Sequence, residues 1–297
     1  MGEQSVRPWG QAKRFEFLEW RLFWVGRLNR ADLEDQFGIS TPQASIDLRN
    51  YQEAAPGNLS YSPTLKAYVR GKCFSPKFLR VSGERYLLQM RALHMGVIGQ
   101  GDTWFGEIPP FDVVPRPTRT ISDEDLRIVV AAVSNCTSLE VTYRSFSGCR
   151  DRAIAPHSFA YDGYRWHVRA WCFDNKEFRD FTLSRLIDPR PIDREPVSSD
   201  CDAEWTTVMQ LRLSPHPGLS EDQRKTVEMD YGMEDGQVEI NVRLALAFYF
   251  IQRNNLDKPL EDAARQQVVL SNLREINLAT EMAKKESRRL VGLHLKN

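Results

Sequence analysis

The chain has 297 residues, of which 41% are hydrophobic, and it carries 40 Lys and Arg against 40 Asp and Glu. This length and apolar content predict two or three domains with cores of their own. No apolar run approaches a membrane span, and the polar amino terminus lacks a signal-peptide pattern, so a cytoplasmic protein with no membrane partner is expected. The five cysteines are scattered without a C-x-x-C pair, which disfavours a disulfide framework or a zinc site.

The neutral total hides an uneven distribution of charge. Residues 1–85 hold thirteen Lys and Arg against nine Asp and Glu. A chain with zero net charge can still bind nucleic acid if its basic groups share one face.

The first predicted helix spans residues 13–27 and has one apolar stripe. The stripe consists of Phe15, Leu18, Leu22 and Val25. Four more aromatic residues widen this surface beyond the needs of one small domain: Phe17, Trp20, Phe23 and Trp24. We expect a neighbouring domain or a second subunit to cover the excess.

Residues 29–53 have the pattern of a helix-turn-helix. Asn29 can cap a helix over residues 30–37, and Gly38 supplies the left-handed turn after it. Ser40 can cap the next helix, residues 41–53, with Pro42 near its start, where a missing N–H is harmless. The expected core residues are Leu33, Phe37, Ile39, Ala44, Leu48 and Tyr51.

The second helix of this pair is the predicted DNA-recognition helix. Thr41, Gln43 and Ser45 offer donors and acceptors for base edges, and Arg49 can reach phosphate or guanine. Strands at residues 59–61 and 67–69 then predict a wing, with Lys66 and Arg70 as its phosphate contacts. The unit resembles a winged helix-turn-helix; the alternative is a three-helix bundle that makes only protein contacts.

A connector is predicted between residues 82 and 120. Its helix, residues 82–95, carries an apolar set that is either buried or dimer-facing: Tyr86, Leu87, Met90 and Leu93. Glycines and then prolines recur in residues 99–120, a composition typical of an irregular connector. Ser122 can cap the next helix, whose predicted apolar face is Leu126, Val129, Val130 and Val133.

Alternating residues predict a small β-domain after this helix. Strands are expected at residues 139–144 and 152–157, and Asp162-Gly163 predicts a two-residue type I′ hairpin. In residues 164–171, aromatic and aliphatic side chains alternate with Arg165, His167, Arg169 and Trp171. Successive side chains of a strand point to opposite faces, so one face is expected to be apolar and the other cationic.

Several short motifs in this stretch resemble one family. The motifs are Pro156-His157, then Gly163-x-x-Trp166-x-Val168, then Phe178-Arg179-x-Phe181-x-Leu183-x-Arg185. They resemble the WYL domain, a small Sm-like β-barrel of bacterial transcription regulators, with Trp166-His167-Val168 at the name-giving triplet.

The resemblance implies ligand sensing, because basic and aromatic residues of this domain sense a nucleic-acid-like or nucleotide-like ligand in the family. Arginine suits that task because its planar fork binds phosphate and stacks on bases. The implied ligand-binding residues are Arg144, Arg152, His157, Tyr161, His167, Arg169, Arg179 and Arg185. For any one of them, the alternative is an exposed residue that only promotes solubility.

Catalysis is not expected. The five histidines share no motif, and they lack an accompanying nucleophile elbow, carboxylate pair or metal-ligand spacing. We therefore predict no catalytic residue, no metal site and no cofactor.

Residues 196–297 predict strands alternating with helices. The order strand-helix-strand-helix-strand-helix favours a small α+β sandwich of ferredoxin-like type. In the resembling family an extension of this kind takes part in dimer contacts. The final helix contains Lys284, Lys285, Arg288 and Arg289, which form either a solvated face or a nucleic-acid contact.

Together these segments predict an α+β multidomain protein: a winged helix-turn-helix (residues 1–81), a helical linker (82–120), a WYL-like barrel (121–195) and a dimerising extension (196–297). The order resembles the stand-alone WYL repressors that accompany phage-defence systems such as BREX and CBASS. We expect a homodimeric repressor that binds double-stranded DNA at an inverted-repeat operator and responds to a nucleotide or single-stranded nucleic acid. The alternatives are an activator of the same architecture, or an accessory that holds single strands near a nucleic-acid-processing partner.

Overall fold

The computed structural model describes residues 8–115, 117, 119–257, 263 and 265–294, with only the backbone described at Pro8 and Trp9. The first seven residues, which entered the signal-peptide prediction, lie outside these ranges. The chain divides into two compact units, Met1–Arg116 and Pro117–Asn297. Within the described residues, no helix combines the length and the apolar character needed to cross a bilayer.

The amino-terminal unit is a helix-turn-helix followed by a wing, as predicted. Its elements are α1 (Pro8–Trp24), β1 (Arg27–Leu28), α2 (Arg30–Phe37), α3 (Thr41–Ala54), β2 (Leu59–Ser62), β3 (Ala67–Arg70) and α4 (Gly83–His94). The sheet order is β1-β3-β2, and both pairings are antiparallel. The first helix ends at Trp24, three residues earlier than predicted, because Gly26 adopts a φ of 80° and Arg27 and Leu28 join the sheet.

Local chemistry explains where α2 and α3 begin and end. The Asp32 carboxylate accepts the backbone N–H of Asn29, and Gly38 ends α2 with a φ of 61°. Ser40 Oγ accepts the N–H of Gln43 at 3.4 Å, and Pro42 lies in the first turn of α3. These are ordinary helix-cap interactions, and each stabilises its helix by about 1 kcal/mol.

The predicted core of this unit is confirmed. Leu33, Ala44, Leu48 and Tyr51 are at most 1% exposed, and Phe37 and Ile39 pack against them. Full burial of one such side chain stabilises the fold by roughly 2 kcal/mol. Val25 is 37% exposed, so its predicted place on the buried stripe is wrong.

The extra aromatic residues of α1 are covered from within the same unit. Trp20 is 1% exposed and packs in a cluster with Leu79, Met90 and Phe105, and its ring stacks on Tyr86 at 5.7 Å. Residues 79–108 of the same unit thus supply cover that was expected from a neighbouring domain or a second subunit. In α4, Leu87 is 64% exposed and does not join the cluster.

The carboxy-terminal unit begins with one helix and one sheet. Its first elements are α5 (Asp123–Ser134), β4 (Leu139–Ser145), β5 (Gly148–Tyr161), β6 (Trp166–Cys172), β7 (Glu177–Thr182) and β8 (Leu186–Pro191). The strand order is β7-β6-β5-β4-β8, with antiparallel pairing throughout. In the described residues this sheet is open, because β7 and β8 lie at its two edges. Val129 of α5 packs on the sheet core, whereas Val130, predicted on the same face, is 44% exposed.

The hairpin predicted at Asp162-Gly163 forms, but its turn type is different. Tyr161 pairs with Trp166, so the loop has four residues, and only Gly163 has a positive φ, 92°. Asp162 Oδ1 accepts the N–H groups of Tyr164 and Arg165 at 2.8 and 2.9 Å. The aspartate side chain thus organises the loop, which removes the need for two left-handed residues.

The rest of the unit alternates strands and helices in the predicted order. Its elements are α6 (Ala203–Thr206), β9 (Val208–Pro215), α7 (Glu221–Tyr231), β10 (Val238–Arg243), α8 (Leu244–Arg253), β11 (Val268–Leu270) and α9 (Leu273–His294). The sheet order is β10-β9-β11, antiparallel in both pairs. Apolar residues of α7, α8 and α9 pack on one face of this sheet.

Candidate DNA-binding surface and sensor domain

The first nine residues of α3 include the four predicted base-reading residues, none of which is fully buried. Thr41 and Arg49 are exposed, and Gln43 and Ser45 are half-buried. Ser45 Oγ donates to the carbonyl of Thr41 at 2.9 Å and accepts from Arg30 Nη1 at 3.3 Å. Arg30 at the start of α2 therefore joins this surface, although the sequence pattern did not single it out.

A buried ion pair fixes α3 to α1. Arg14 Nε donates to Asp47 Oδ2 at 2.6 Å, and Arg14 Nη2 donates to Asp47 Oδ1 at 3.1 Å. Asp47 is completely buried and Arg14 is 5% exposed. The same Asp47 Oδ1 accepts from Gln43 Nε2 at 3.3 Å, so the pair reaches a predicted base-reading side chain. The sequence signal for this pair was Asp47 itself, an acidic residue between Ala44 and Leu48 on the buried stripe of α3. A buried carboxylate needs a partner.

A second buried carboxylate, Glu19, connects α3 to the segment before α4. Glu19 Oε1 accepts from the Tyr51 hydroxyl at 3.1 Å and from the N–H of Lys77 at 2.8 Å. Glu19 Oε2 accepts the N–H groups of Phe78 and Leu79 at 2.7 and 2.6 Å. Burial, together with the negative charge of Glu19, raises the pKa of Tyr51 well above its ordinary value. This phenol therefore remains a hydrogen-bond donor.

The wing carries both predicted phosphate contacts. Lys66 and Arg70 are exposed, and Lys66 occupies the turn between β2 and β3 with a φ of 48°. Ser62 Oγ accepts the N–H of Leu65 at 3.3 Å and stabilises this turn.

The alternation predicted for β6 is confirmed, but the face expected to be open is covered. Val168 and Ala170 face the sheet core, and His167 and Arg169 on the opposite face are only 2% and 4% exposed. Residues at the start of α6 and on α8 contact this face: Asp202, Glu204 and Tyr249. The expectation of an exposed cationic face is therefore wrong for these two residues.

Arg169 is the centre of a buried charge network. Its Nε and Nη2 donate to the two oxygens of Asp202 at 2.8 and 3.1 Å. Nη2 also donates to Glu204 Oε2 at 2.9 Å, and Nη1 lies 3.5 Å from Asp180 Oδ1. Burial opposes the charge, but the hydrogen bonds to Asp202 and the surrounding carboxylates raise the pKa of Arg169.

The pKa values of the carboxyl groups around Arg169 are shifted in different directions. Burial raises the pKa of Asp202, but hydrogen bonds from His157 and Arg169 outweigh it, and the net pKa is lowered. Burial dominates at Glu204 and raises its pKa despite the contact with Arg169. The Tyr249 hydroxyl donates to Asp180 Oδ2 at 3.0 Å, and burial raises its pKa.

The two predicted ligand-binding histidines have separate carboxylate partners. His157 Nε2 is 3.1 Å from Asp202 Oδ2, and His167 Nε2 is 2.9 Å from Asp162 Oδ2. Their other ring nitrogens face Ser158 Oγ at 3.0 Å and Thr182 Oγ1 at 3.4 Å. Both rings are therefore held in place on each side.

The remaining predicted ligand residues lie nearer to the surface. Arg144 is exposed, Arg152 Nη1 lies 3.4 Å from Asp174, and Arg179 pairs with Glu177. The Arg185 guanidinium lies 4.6 Å from the Phe146 ring centroid. Tyr161 is 46% exposed and its ring is 4.9 Å from that of Trp166.

One cavity of about 720 Å³ lies between β7, α8 and α9. Of the eight predicted ligand residues, Arg169 and Arg179 line it and the other six do not. Five carboxyl side chains share the lining: Glu177, Asp180, Glu204, Asp257 and Glu281. This cavity therefore brings together only two of the eight predicted ligand residues. No sequence pattern indicated the acidic partners, which lie up to 35 residues further along the chain from Arg169.

Three segments of the chain match known protein families. Residues 10–92 match the family described as the BrxR transcriptional regulator winged helix-turn-helix domain, and residues 124–191 match the WYL domain. Residues 208–276 match the BrxR transcriptional regulator C-terminal dimerization domain.

Two relatives that align with most of this chain share one name. The chain is 36% identical over 279 residues to the DNA-binding transcriptional repressor CapW of Escherichia coli strain KTE188, covering 93% of each chain. It is 36% identical over 280 residues to CapW of Stenotrophomonas maltophilia, again covering 93% of each. Among solved structures, proteasome accessory factor B/C of Arthrobacter aurescens aligns with 94% of this chain and 48% of its own, at 15% identity and a TM-score of 0.25. That score is too low to indicate a shared overall fold.

Proposed function

Because this chain belongs to the CapW family of DNA-binding transcriptional repressors, we propose that it is itself a homodimeric, sequence-specific transcriptional repressor. The observation that carries the proposal is the polar outer face of α3, a helix that two buried carboxylates hold against the core and that a wing with exposed Lys66 and Arg70 follows. Such a helix, rigid and polar at its outer face, fits the major groove.

Six residues would contact the operator. Thr41, Gln43, Ser45 and Arg49 would face base edges from α3, and Lys66 and Arg70 would neutralise phosphates from the wing. The match of residues 208–276 to a dimerization domain supports a two-fold dimer. A two-fold dimer requires two related half-sites, so the operator would be an inverted repeat.

The proposed domains are residues 1–81, a linker at 82–120, the WYL domain at 121–195 and the dimerising extension at 196–297. The five-stranded sheet with α5 would be this family's version of an Sm-like barrel, and the three-stranded α+β extension a variant of the ferredoxin-like sandwich. As a DNA-binding repressor the protein would act in the cytoplasm, with no membrane partner, cofactor or catalytic step.

We further propose that the WYL domain senses a nucleotide or single-stranded nucleic acid. Its exposed or half-exposed cations and aromatic residue support direct contact with an anionic, base-containing ligand: Arg144, Tyr161, Arg179 and the half-exposed Arg185. Arg152, His157, His167 and Arg169 would shape the site through their carboxylate partners. A ligand that binds one dimer geometry more tightly than the other would shift the dimer away from the operator. The resemblance to phage-defence repressors supports a defence operon as the regulated target.

Sequencing the DNA fragments that co-purify with the chain tests this proposal. We expect enrichment of one inverted repeat, bound by two chains per duplex in analytical ultracentrifugation at fixed salt. Recovery of unrelated fragments with no shared sequence would contradict sequence-specific binding.

Two further assays address the alternatives. A reporter gene behind the enriched site should be expressed less when the protein is present; increased expression would indicate an activator. Incubation of labelled nucleic acid with the chain and a divalent metal should leave the nucleic acid intact. Cleavage or modification would instead favour an accessory of nucleic-acid processing.

A further inference from the structure

The terminal amide of Gln43, a predicted base-reading side chain, is hydrogen-bonded to a buried group. Its Nε2 lies 3.3 Å from Asp47 Oδ1, one helical turn further along α3. Asp47 is completely buried, and both of its oxygens are engaged by Arg14. Its position is therefore set by the core and does not depend on DNA.

The chemistry of this contact orients the amide. The Asp47 carboxylate in its ion pair with Arg14 has only acceptor sites, so it takes an N–H and disfavours a carbonyl oxygen. The nitrogen of Gln43 is thereby directed inward. Its Oε1, which has no such partner at Asp47, is directed away from it, and one N–H of Nε2 remains for another acceptor.

We propose that Asp47 is a positioning residue that makes Gln43 read adenine in the operator half-site. The inference rests on the proposed DNA-binding function and adds to it the identity of one base. Adenine presents the N6 amino group as donor and N7 as acceptor in the major groove, which match Oε1 and the remaining N–H of the amide.

Other bases fit this orientation less well. Guanine presents two acceptors, O6 and N7, and thymine presents O4 and a methyl group, so Oε1 would face an acceptor or a methyl group in each. Cytosine offers an amino group without the adjacent acceptor. The fixed amide therefore favours adenine first and cytosine second.

The test uses the full chain and duplexes that carry the enriched operator. Each adenine of one half-site is replaced in turn by purine, which lacks the N6 amino group, and the dissociation constant is measured at fixed salt. We expect one position at which this replacement weakens wild-type binding about tenfold, the size of one good bidentate contact. In Gln43→Ala, binding to the unmodified operator should be weaker, and purine at that position should cause no further loss.

The matched control is Gln52→Ala, which changes an exposed glutamine near the other end of α3. It should keep the wild-type response to purine at every position. If Gln43→Ala keeps the full sensitivity to purine at every adenine, the proposal is wrong, although the repressor function stands. Absence of any sequence-specific binding by the wild type would instead refute the proposed function itself.

The role of Asp47 is tested by Asp47→Asn combined with Arg14→Met, which removes both charges of the pair. The amide that this substitution introduces can donate to Gln43 Oε1, so the glutamine amide can turn over and direct Nε2 to the DNA. We expect the preference for adenine over guanine at that position to fall about tenfold while nonspecific binding persists. An unchanged preference in this folded variant would show that Asp47 does not position Gln43. If thermal unfolding shows that the double variant is not folded, Asp47→Asn alone decides. Its amide oxygen can still accept from Arg14, so its amide nitrogen can face Gln43, and an unchanged preference for adenine over guanine would overturn the proposal.

Discussion

Arg169 on β6 and Asp202 at the start of α6 form a two-pronged ion pair, with N–O distances of 2.8 and 3.1 Å, in which Asp202 is completely buried. The pair joins the five-stranded sheet to the segment that leads into the extension. It also converts the strand face expected to be an open cationic surface into an internal contact.

Replacement of Arg169 should therefore destabilise the carboxy-terminal unit. In Arg169→Met, buried Asp202 loses its arginine partner, and we expect the free energy of unfolding to fall by about 4 kcal/mol in urea titrations. Arg179→Met is the control, because Arg179 is exposed and pairs with Glu177 at the surface; its effect should stay within about 0.5 kcal/mol. Equal stability of Arg169→Met and the wild type would contradict the structural role of the pair. Because Arg179 is exposed, it is a better residue than Arg169 for testing the ligand response.

The stability of the hairpin loop should depend on pH through Asp162. Burial raises the pKa of this carboxyl, but the hydrogen bonds from His167, from the backbone N–H groups of Tyr164 and Arg165, and from the Arg165 side chain lower it from 3.8 to about 2. A carboxyl with a depressed pKa in the folded state stabilises the protein above its unfolded pKa, and this stabilisation is lost as pH falls. We expect this loss between about pH 4 and pH 2.

Asp162→Asn removes that titration. Urea unfolding between pH 5 and about pH 2 should show a shallower loss of stability in the variant than in the wild type. Asp174→Asn, at a half-exposed turn position, serves as the control and should keep the wild-type slope. Identical slopes for the wild type and Asp162→Asn would refute the assignment.

Glu19→Gln should loosen the amino-terminal unit. The neutral amide has one acceptor oxygen, so at least one of the N–H groups of Lys77, Phe78 and Leu79 loses its acceptor in a buried site. Hydrogen bonds to charged groups contribute about 1.5–3 kcal/mol each, and we expect a loss of about 3 kcal/mol in the free energy of unfolding. Glu53→Gln, an exposed substitution on α3, should change stability by less than about 0.5 kcal/mol. Hydrogen exchange at residues 77–79 should be faster in Glu19→Gln but not in Glu53→Gln. Unchanged exchange in Glu19→Gln would contradict the role of Glu19 as the acceptor for these N–H groups.

Lys66→Gln should reduce the salt dependence of operator binding. Lys66 is exposed in the wing turn, and removal of one phosphate contact lowers the slope of log K against log salt by about 1. The loss should be similar for specific and unrelated duplexes, because a phosphate contact does not read sequence. Lys225→Gln on α7, where Lys225 pairs with Glu221, should leave the slope unchanged. An unaltered slope in Lys66→Gln would remove the wing turn from the DNA interface.

The sequence predicts best where a local rule determines the outcome. Gly38, Ser40 and Pro42 mark the helix-turn-helix because each has a specific conformational requirement at a helix end. Periodicity shows that Trp20 and Arg169 lie on particular faces, but it cannot show which later segment covers them. The partners of Arg169, Asp202 and Glu204, follow it by 33 and 35 residues. The Asp162 loop was assigned the wrong turn type because a side-chain acceptor replaced the expected backbone conformation.

The Glu19 carboxylate couples α3 mechanically to the segment that follows the wing. The same two oxygens hold Tyr51 of α3 and the three peptide groups where the chain leaves the wing. A displacement of residues 77–79 would therefore be transmitted through one side chain to Tyr51 and so to α3.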